Sequence, residues 1–389
     1  MLTPSARRVK VSESREYPNL GLYSYGRGAF SKPPISGAAT SAPALFQVQA
    51  GQFIYSRLFA FEGAFAVVPD HMHGWFVSNE YPTFDINQDL VLTDYLRAIM
   101  CRPGTWSALA DMTVGMGHRR QRLHPDELLA FEITLPPIDE QYDIVTAIRT
   151  LESGIAAAQS LQVESQSFLE SLRESLLVEN GDWICRDDWR VVPLEDVCRV
   201  TLGFTKGRKL VGPIQEVPYL RAANVQDGFF NLNDVAKIEA CQADHDKYLL
   251  APNDILLLEG GNLEHVGRAW IWAGEVSPCL HQNSTIRARI LNEQECSPRF
   301  IAWALGASPA REFCLDEATQ TSNVAHLGLA GARQIPIPLP PLARQLEIAD
   351  ELDVARCHLV SAIRKVQRYE ALRADAIDAL TSGQASVHV

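Results

Sequence analysis

The sequence predicts an α+β chain: two β-rich domains joined and spaced by two long antiparallel coiled-coil helices, with a pseudo-two-fold internal repeat. Three observations carry this. A self-match from 133 to 337, an offset of 204, lays Ile133-Thr-Leu-Pro-Pro-Ile-Asp-Glu-Gln-Tyr-Asp-Ile144 on Ile337-Pro-Leu-Pro-Pro-Leu-Ala-Arg-Gln-Leu-Glu-Ile348. The same offset places Gly63-Ala-Phe-Ala66 on Gly267-Arg-Ala-Trp270, Asn79 on Asn283, Ile86 on Ile290 and Leu123 on Leu327. After each Leu-Pro-Pro, about forty residues follow with apolar positions stepping by three and four, the seam of a coiled coil.

The first domain, residues 1–137, shows short apolar runs after turn signals, Gln52-Phe-Ile-Tyr55 and Ala64-Phe-Ala-Val-Val68. With a two-residue slip, Gly51-Gln-Phe-Ile-Tyr55 overlays Asn253-Asp-Ile-Leu-Leu257 of the second domain, residues 181–341. That domain adds Asp254-Ile-Leu-Leu-Leu258, Ala269-Trp-Ile-Trp272 and Thr285-Ile-Arg-Ala-Arg-Ile290, the last alternating as a half-exposed strand does. Its opening, Val192-Pro-Leu-Glu-Asp-Val197, has no counterpart in the first domain, which is N-terminally short. A truncated start or a missing leading strand would account for that.

Each Leu-Pro-Pro acts as a hinge, because proline fixes an extended entry and cannot continue a strand. The central helix, 138–180, carries Ile148, Leu151, Ile155, Ala158, Leu169, Leu172 and Leu176 in its seam, interrupted by Gln162 and Ser165. Leu352, Ala355, Leu359, Ala362, Val366, Tyr369, Ala376 and Leu380 form the seam of the C-terminal helix, 342–389. One slot there, Arg373, is charged, and its neighbour Leu372 is expected to take over the packing. At 1.5 Å per residue each helix spans roughly 60 Å, so the seams pair with each other or dock on their own domains.

With 389 residues, 47% hydrophobic and 21% charged, the chain has the composition of a globular protein of two or three domains. No run of 18 apolar residues and no signal-peptide h-region occurs, so a cytoplasmic protein with no membrane contact is expected. The eight cysteines show no C-x-x-C or zinc spacing, which suits reduced, mostly buried thiols and no metal site. A net charge of −12 argues at first sight against nucleic acid. By segment the picture changes: residues 1–137 carry 12 basic and 12 acidic side chains, 138–180 carry 2 and 8, 181–341 carry 15 and 20, and 342–389 carry 6 and 7. More than half of the surplus lies on the helices.

In this layout the chain resembles the specificity (S, HsdS) subunit of type I restriction-modification systems. The stretches that carry the likeness are Tyr17-Pro-Asn-Leu-Gly-Leu-Tyr-Ser-Tyr-Gly-Arg-Gly-Ala-Phe30, Gly51-Gln-Phe-Ile-Tyr-Ser-Arg-Leu-Phe-Ala-Phe-Glu-Gly63, Val77-Ser-Asn-Glu-Tyr-Pro-Thr-Phe84, Trp189-Arg-Val-Val-Pro-Leu-Glu-Asp-Val197, Tyr219-Leu-Arg-Ala-Ala-Asn224, Gly267-Arg268 and both Leu-Pro-Pro-x-x-x-Gln segments. The resemblance implies two target recognition domains, each reading one half of a bipartite duplex DNA target, with the helices as spacer. It also implies docking of methyltransferase (M) subunits, two of them, and restriction (R) subunits, in a phage-defence enzyme that methylates DNA. The chain itself would be non-catalytic, with S-adenosylmethionine, ATP and magnesium held by the partners. In keeping with that, no G-x-x-x-x-G-K-[ST] is present, and Gly203-Phe-Thr-Lys-Gly-Arg-Lys209 has the wrong spacing for a phosphate loop. A stand-alone DNA-binding or scaffold protein without partner subunits is the alternative.

Candidate DNA contacts are the basic run Arg119, Arg120 and Arg122, then Lys206, Arg208 and Lys209, and the loop residues Tyr25, Arg27, Arg57 and Arg268. Each could instead be a solvated charge, and Arg27 or Arg57 could pair with Glu62 or Glu80. Asp254, Glu259 and Glu264 suggest a carboxylate cluster for metal-assisted cleavage, but a Gly-Gly loop between strands explains the segment more simply. For partner docking and the helix seam the candidates are Ile148, Leu151, Ile155, Leu169, Leu172, Leu352, Leu359, Val366 and Leu380. The acidic Glu152, Glu164, Glu170 and Glu174 are expected to face basic partners.

Overall fold

The computed structural model describes residues 1–112, 122–133, 135–184, 186, 188–207, 210–321 and 324–381. The chain packs as two units, Met1–Ala157 together with the segment from Val366 onward, and Ala158–Lys365.

Nine strands open the first unit: β1 (Leu2–Pro4), β2 (Arg7–Lys10), β3 (Glu16–Leu22), β4 (Ala29–Ser36), β5 (Ala44–Gln47), β6 (Phe53–Tyr55), β7 (Phe65–Val67), β8 (Phe76–Val77) and β9 (Thr83–Ile86). Helices α1 (Thr93–Met100), α2 (Pro103–Met112), α3 (Pro125–Ala130) and α4 (Ile138–Leu177) follow. One sheet has the order β1-β9-β6-β7 and the other β2-β5-β8-β3-β4. Strand β6 is buried on every residue because it lies between two layers. Phe53 and Tyr55 point to one face, joining Phe65, Phe84 and the α1 residues Tyr95, Leu96 and Ile99, while Ile54 points to the other, joining Leu20 and Val77. Each such side chain contributes roughly 1.5–3 kcal/mol by leaving water.

The second unit repeats the plan. It contains β10 (Val178–Glu179), β11 (Asp182–Trp183), β12 (Arg190–Pro193), α5 (Leu194–Val197), β13 (Cys198–Leu202), β14 (Ile214–Leu220), β15 (Ala236–Cys241) and α6 (Gln242–Tyr248). Next come β16 (Ile255–Leu258), β17 (Gly260–Gly261), β18 (Ala269–Ile271), β19 (Leu280–His281) and β20 (Thr285–Ile290). Then follow α7 (Pro298–Gly306), α8 (Ser308–Glu317), β21 (Thr319–Thr321), β22 (Val324–His326), α9 (Gly328–Arg333), β23 (Pro336–Leu339) and α10 (Leu342–Thr381). Sheet order β13-β20-β16-β18 matches β1-β9-β6-β7, and the registers agree residue by residue. Phe53 faces Val67 as Ile255 faces Ile271, and Phe53 faces Phe84 as Ile255 faces Ala288. The two-residue slip read from the sequence is thus the real alignment of β6 with β16.

Three sequence expectations need correction. The first unit does have a leading strand, since β1 pairs with β9 as β13 pairs with β20. Among the described residues, what it has no counterpart for is the β12–α5 element, in which Arg190–Pro193 pairs with β23. Strand β20 is not half-exposed: Thr285 to Ala288 are all buried, and Arg287 fits there by donating to the carbonyls of Leu249 (2.9 Å) and Lys247 (3.2 Å). Leu372 does not replace Arg373 in the seam. It is 44% exposed, and Arg373 itself reaches Glu152 at 4.0 Å.

Both hinges owe their motif to one buried glutamine. Gln141 Nε2 donates to the carbonyls of Pro136 (2.9 Å) and Leu90 (3.0 Å), and its Oε1 accepts from Leu92 N (2.9 Å). Gln345 does the same, with Pro340 O (2.8 Å), Glu295 O (3.0 Å) and Ser297 N (2.8 Å). Both are fully buried. The side chain ties the first turn of the long helix to the loop that starts the preceding helical pair, saturating backbone groups that would otherwise be orphaned.

The long helices have 40 residues each. Within the first unit they run antiparallel: Gly154 lies against the Tyr369 ring, and Ile377 and Leu380 pack on the core that holds Ile144 and Ile148. In the second unit Leu169, Leu177, Leu352 and Leu359 share one core. Of the seam residues, Ile148, Ile155, Leu169, Leu352, Leu359 and Val366 are buried, and Leu151, Leu172 and Leu380 are half-buried.

Candidate nucleic-acid interface

Arg119, Arg120, Arg208 and Lys209 lie outside the described residues. Arg122 is exposed, and its Nε sits 3.3 Å from Glu80 Oε2. Arg57 comes to the same place: its amide donates to Glu80 O (2.9 Å), its carbonyl accepts from Leu123 N (2.9 Å), and its Nη2 is 3.1 Å from His124 Nδ1. Both guanidiniums therefore already have partners. Such surface pairs contribute little to stability and exchange readily for a phosphate.

Tyr25 and Arg27 share the β3–β4 turn. Tyr25 is 65% exposed and takes a left-handed φ of 63°, a conformation that costs a non-glycine residue of order 1 kcal/mol. The turn is held by Tyr25 N donating to Glu62 O (2.7 Å), Gly26 N to Gly63 O (2.9 Å) and Ser24 Oγ to Glu62 Oε2 (3.0 Å). So Glu62 anchors the turn through Ser24, with no ion pair to Arg27. Arg27 donates to Ser24 O (3.0 Å) and stacks 4.9 Å over the Tyr23 ring. Tyr25 also overhangs a cavity of about 260 Å³ lined by Arg97, Cys101, Arg102, Ile148, Glu152 and Arg373, where the turn meets the long helices. Among the described residues no hydrogen bond or ion pair joins this turn to Arg57 or Arg122.

In the second unit Lys206 is exposed in the turn between β13 and β14. Arg268 lies instead in a recess of mixed charge beside Arg173, Asp227, Glu264 and Arg311. Arg173, only 8% exposed, bonds Asp227 at 3.2 Å, and the neighbouring Glu174 accepts from Ser308 N (3.1 Å) and Ser308 Oγ (2.6 Å) at the start of α8. An equivalent contact in the first unit joins Arg102 to Asp378 at 2.9 Å. These carboxylates stand at the starts of α2 and α8, where the helix dipole favours negative charge. Two of the four glutamates expected to face partners are thus used internally: Glu174 as described, and Glu152 with Arg97 at 3.3 Å. Glu164 and Glu170 remain exposed.

The Asp254 carboxylate is fully buried and held by Arg289 (2.6 and 2.7 Å) and Ala251 N (2.8 Å). Glu259 Oε2 stands 3.4 Å from His326 Nδ1. Among the described residues no group of three His, Cys, Asp or Glu side chains is placed to hold a metal. Burial pushes the His281 imidazole down to about 3, reinforced by the nearby Arg287 charge. Cys279, Cys296 and Cys314 are pushed up to about 12 by burial, so these thiols are packing groups. No helix is long and apolar enough to cross a membrane among the described residues.

Some candidates escaped the sequence reading. Arg7, Arg8, Lys10 and Arg15 are exposed on and beside strand β2. Arg7-Arg-Val-Lys10 is as dense in basic residues as Arg119-Arg-Gln-Arg122, and that density was the available signal.

Residues 186–359 match the family model described as type I restriction modification DNA specificity domain. Among curated proteins, a putative type I restriction enzyme specificity subunit, MjaX of Methanocaldococcus jannaschii, is 25% identical over 164 residues, covering 42% of this chain and 38% of that one. The EcoBI specificity subunit of Escherichia coli is 26% identical over 190 residues, covering 49% and 37%. These matches take in well under half of the relatives' own lengths. Among solved structures, a chain from a study of complex assembly and conformational transition of the type I R-M system superposes with a TM-score of 0.55 at 17% identity, covering 99% of this chain and 100% of that chain. That likeness is one of fold, and it extends across both repeats.

Proposed function

We propose, from the match of residues 186–359 to the type I restriction modification DNA specificity domain, that the chain is the DNA sequence-specificity subunit of a type I restriction-modification enzyme. The observation that carries this is the duplication: two units that share one four-stranded sheet order, its register and one glutamine-locked hinge. Two such units suit a bipartite target, each reading one half-site, with helix length setting the unread gap much as half-site spacing mirrors symmetry in dimeric repressors. Reading would draw on the β-rich parts, residues 1–137 and 181–341, and docking of methyltransferase and restriction subunits on the helices. Exposed Leu161 (44%) and Phe168 (59%), seven apart on one face of α4 with Glu164 between them, offer an apolar strip with an acidic border for that docking. Catalysis, and the cofactors it needs, would belong to the partners.

Methylation-sensitive sequencing of the source genome, with and without this gene, tests the reading. A split motif that loses methylation on deletion is expected. An unchanged methylome, with no methyltransferase subunit co-purifying with the chain, would leave only a stand-alone DNA-binding or scaffold role.

A further inference from the structure

The two second-layer sheets differ. Strands β8-β3-β4, with β3 parallel to β8, correspond to β19-β14-β15, with β14 parallel to β19. The first unit then extends its sheet by two strands, β5 and β2, where among the described residues the second unit's sheet has three strands. Strand β2 is the free edge of that extension, and it lies in the connection from β1 to β3. The matching connection of the second unit, from β13 to β14, is the one that contains Lys206. Exposed basic residues therefore stand at one topological place in both units.

The cations of β2 are also unspent. Val9 points to the cluster of Tyr17, Leu45 and Phe76, so alternation puts Arg7 on that face and Arg8 and Lys10 on the other. Arg15 lies 5.1 Å over the Tyr17 ring and 5.4 Å over Phe76, which fixes its guanidinium at the surface. Among the described residues none of these four makes an ion pair with a carboxylate. By contrast, Arg97, Arg102, Arg122 and Arg149 of the same unit all do. Four exposed cations on and beside a sheet edge, a third of the 12 basic side chains that balance the 12 acidic ones in residues 1–137, form a site for a polyanion.

We infer that this connection is the phosphate-binding element of each unit, with Arg7, Arg8, Lys10 and Arg15 contacting the duplex backbone in the first and Lys206 in the second. The inference rests on the DNA-binding reading above and names the backbone contact within it. Backbone contacts carry no sequence information, so a random-sequence duplex is a sufficient probe.

The experiment measures binding of that duplex by the full-length chain, in complex with its co-purifying methyltransferase subunits, between about 50 and 200 mM salt. Each lost phosphate contact flattens the slope of log K against log salt by about 0.9. The triple variant R7A/R8A/K10A should therefore flatten it by about 2–3, and K206A by about 1. R7K/R8K/K10R, which keeps the charge, should retain the wild-type slope. An unchanged slope in R7A/R8A/K10A, within a complex that still binds duplex, overturns the inference alone. Loss of assembly with the slope unaltered overturns it too, and assigns the edge to a protein partner. A wild-type complex that binds no duplex overturns the functional reading along with it.

Discussion

Replacing Gln345 with alanine removes the side chain that joins α10 to the start of α7. Three backbone groups lose their partner at once: the buried Ser297 N–H and Pro340 C=O, and the partly buried Glu295 C=O. An orphaned buried donor costs about 1–3 kcal/mol and carbonyls are somewhat more forgiving, so about 4 kcal/mol of destabilisation is expected for the second unit. Gln345→Glu keeps the shape and the bond from Ser297 N, but turns an acceptor toward two carbonyls in place of a donor. It should be severely destabilising at neutral pH and partly relieved near pH 5, where a protonated acid can donate one bond. Urea unfolding followed by tryptophan fluorescence is the assay, since five of the seven tryptophans, at 183, 189, 270, 272 and 303, lie in the second unit. A loss below about 1 kcal/mol for Gln345→Ala would refute the lock, because burial alone would then suffice to hold the hinge.

Two further outcomes follow from buried or strained positions. With its folded pKa near 3 against 6.5 unfolded, His281 is neutral when buried, so its contribution is complete above about pH 6.5 and is lost as pH falls toward 3. At pH 5 the loss is about 1.5 pH units at 1.4 kcal/mol each, roughly 2 kcal/mol; wild-type and His281→Asn stability curves that run parallel between pH 7.5 and 5 would contradict it. Gly63 combines a φ of 78° with a Trp106 ring packed where a Cβ would stand, whereas Gly74, at 81°, faces only Gln47 Nε2 at 3.5 Å. Gly63→Ala should thus cost about 2–3 kcal/mol and Gly74→Ala about 1, and equal thermal shifts in the two variants would contradict the packing argument.

The repeat was legible in the sequence because its most regular part, Leu-Pro-Pro-x-x-x-Gln, is also the most constrained: prolines set the entry and one glutamine satisfies three backbone groups. Other elements gave weaker signals. Leu2–Pro4 is three residues with a proline, and Arg7–Lys10 holds a single apolar side chain, so neither looks like a strand until β9 and β5 are there to pair with it. Strand β20 misled because its arginine at 287 reads as a solvent-facing position, yet carbonyls 38 and 40 residues away make a buried arginine tolerable. The candidate site was least legible. Whether an arginine is free to meet a phosphate depends on which carboxylate the fold brings to it, as with Glu80 for Arg122, 42 residues away. Local sequence carries no record of that.

The division of the chain into units has a bearing on how it is made. The second unit is one unbroken segment, Ala158–Lys365, inserted within the first. The first closes only when Asp378 reaches Arg102 and when Ile377 and Leu380 dock on the core of Leu96, Ile99 and Ile148. On a ribosome, the unit encoded second can therefore be complete while the unit encoded first still waits for the far end of α10. Until α10 has emerged, the aromatic core around Phe53, Phe65 and Phe84 is missing one of its walls, and the nascent first unit stays vulnerable throughout synthesis of the second.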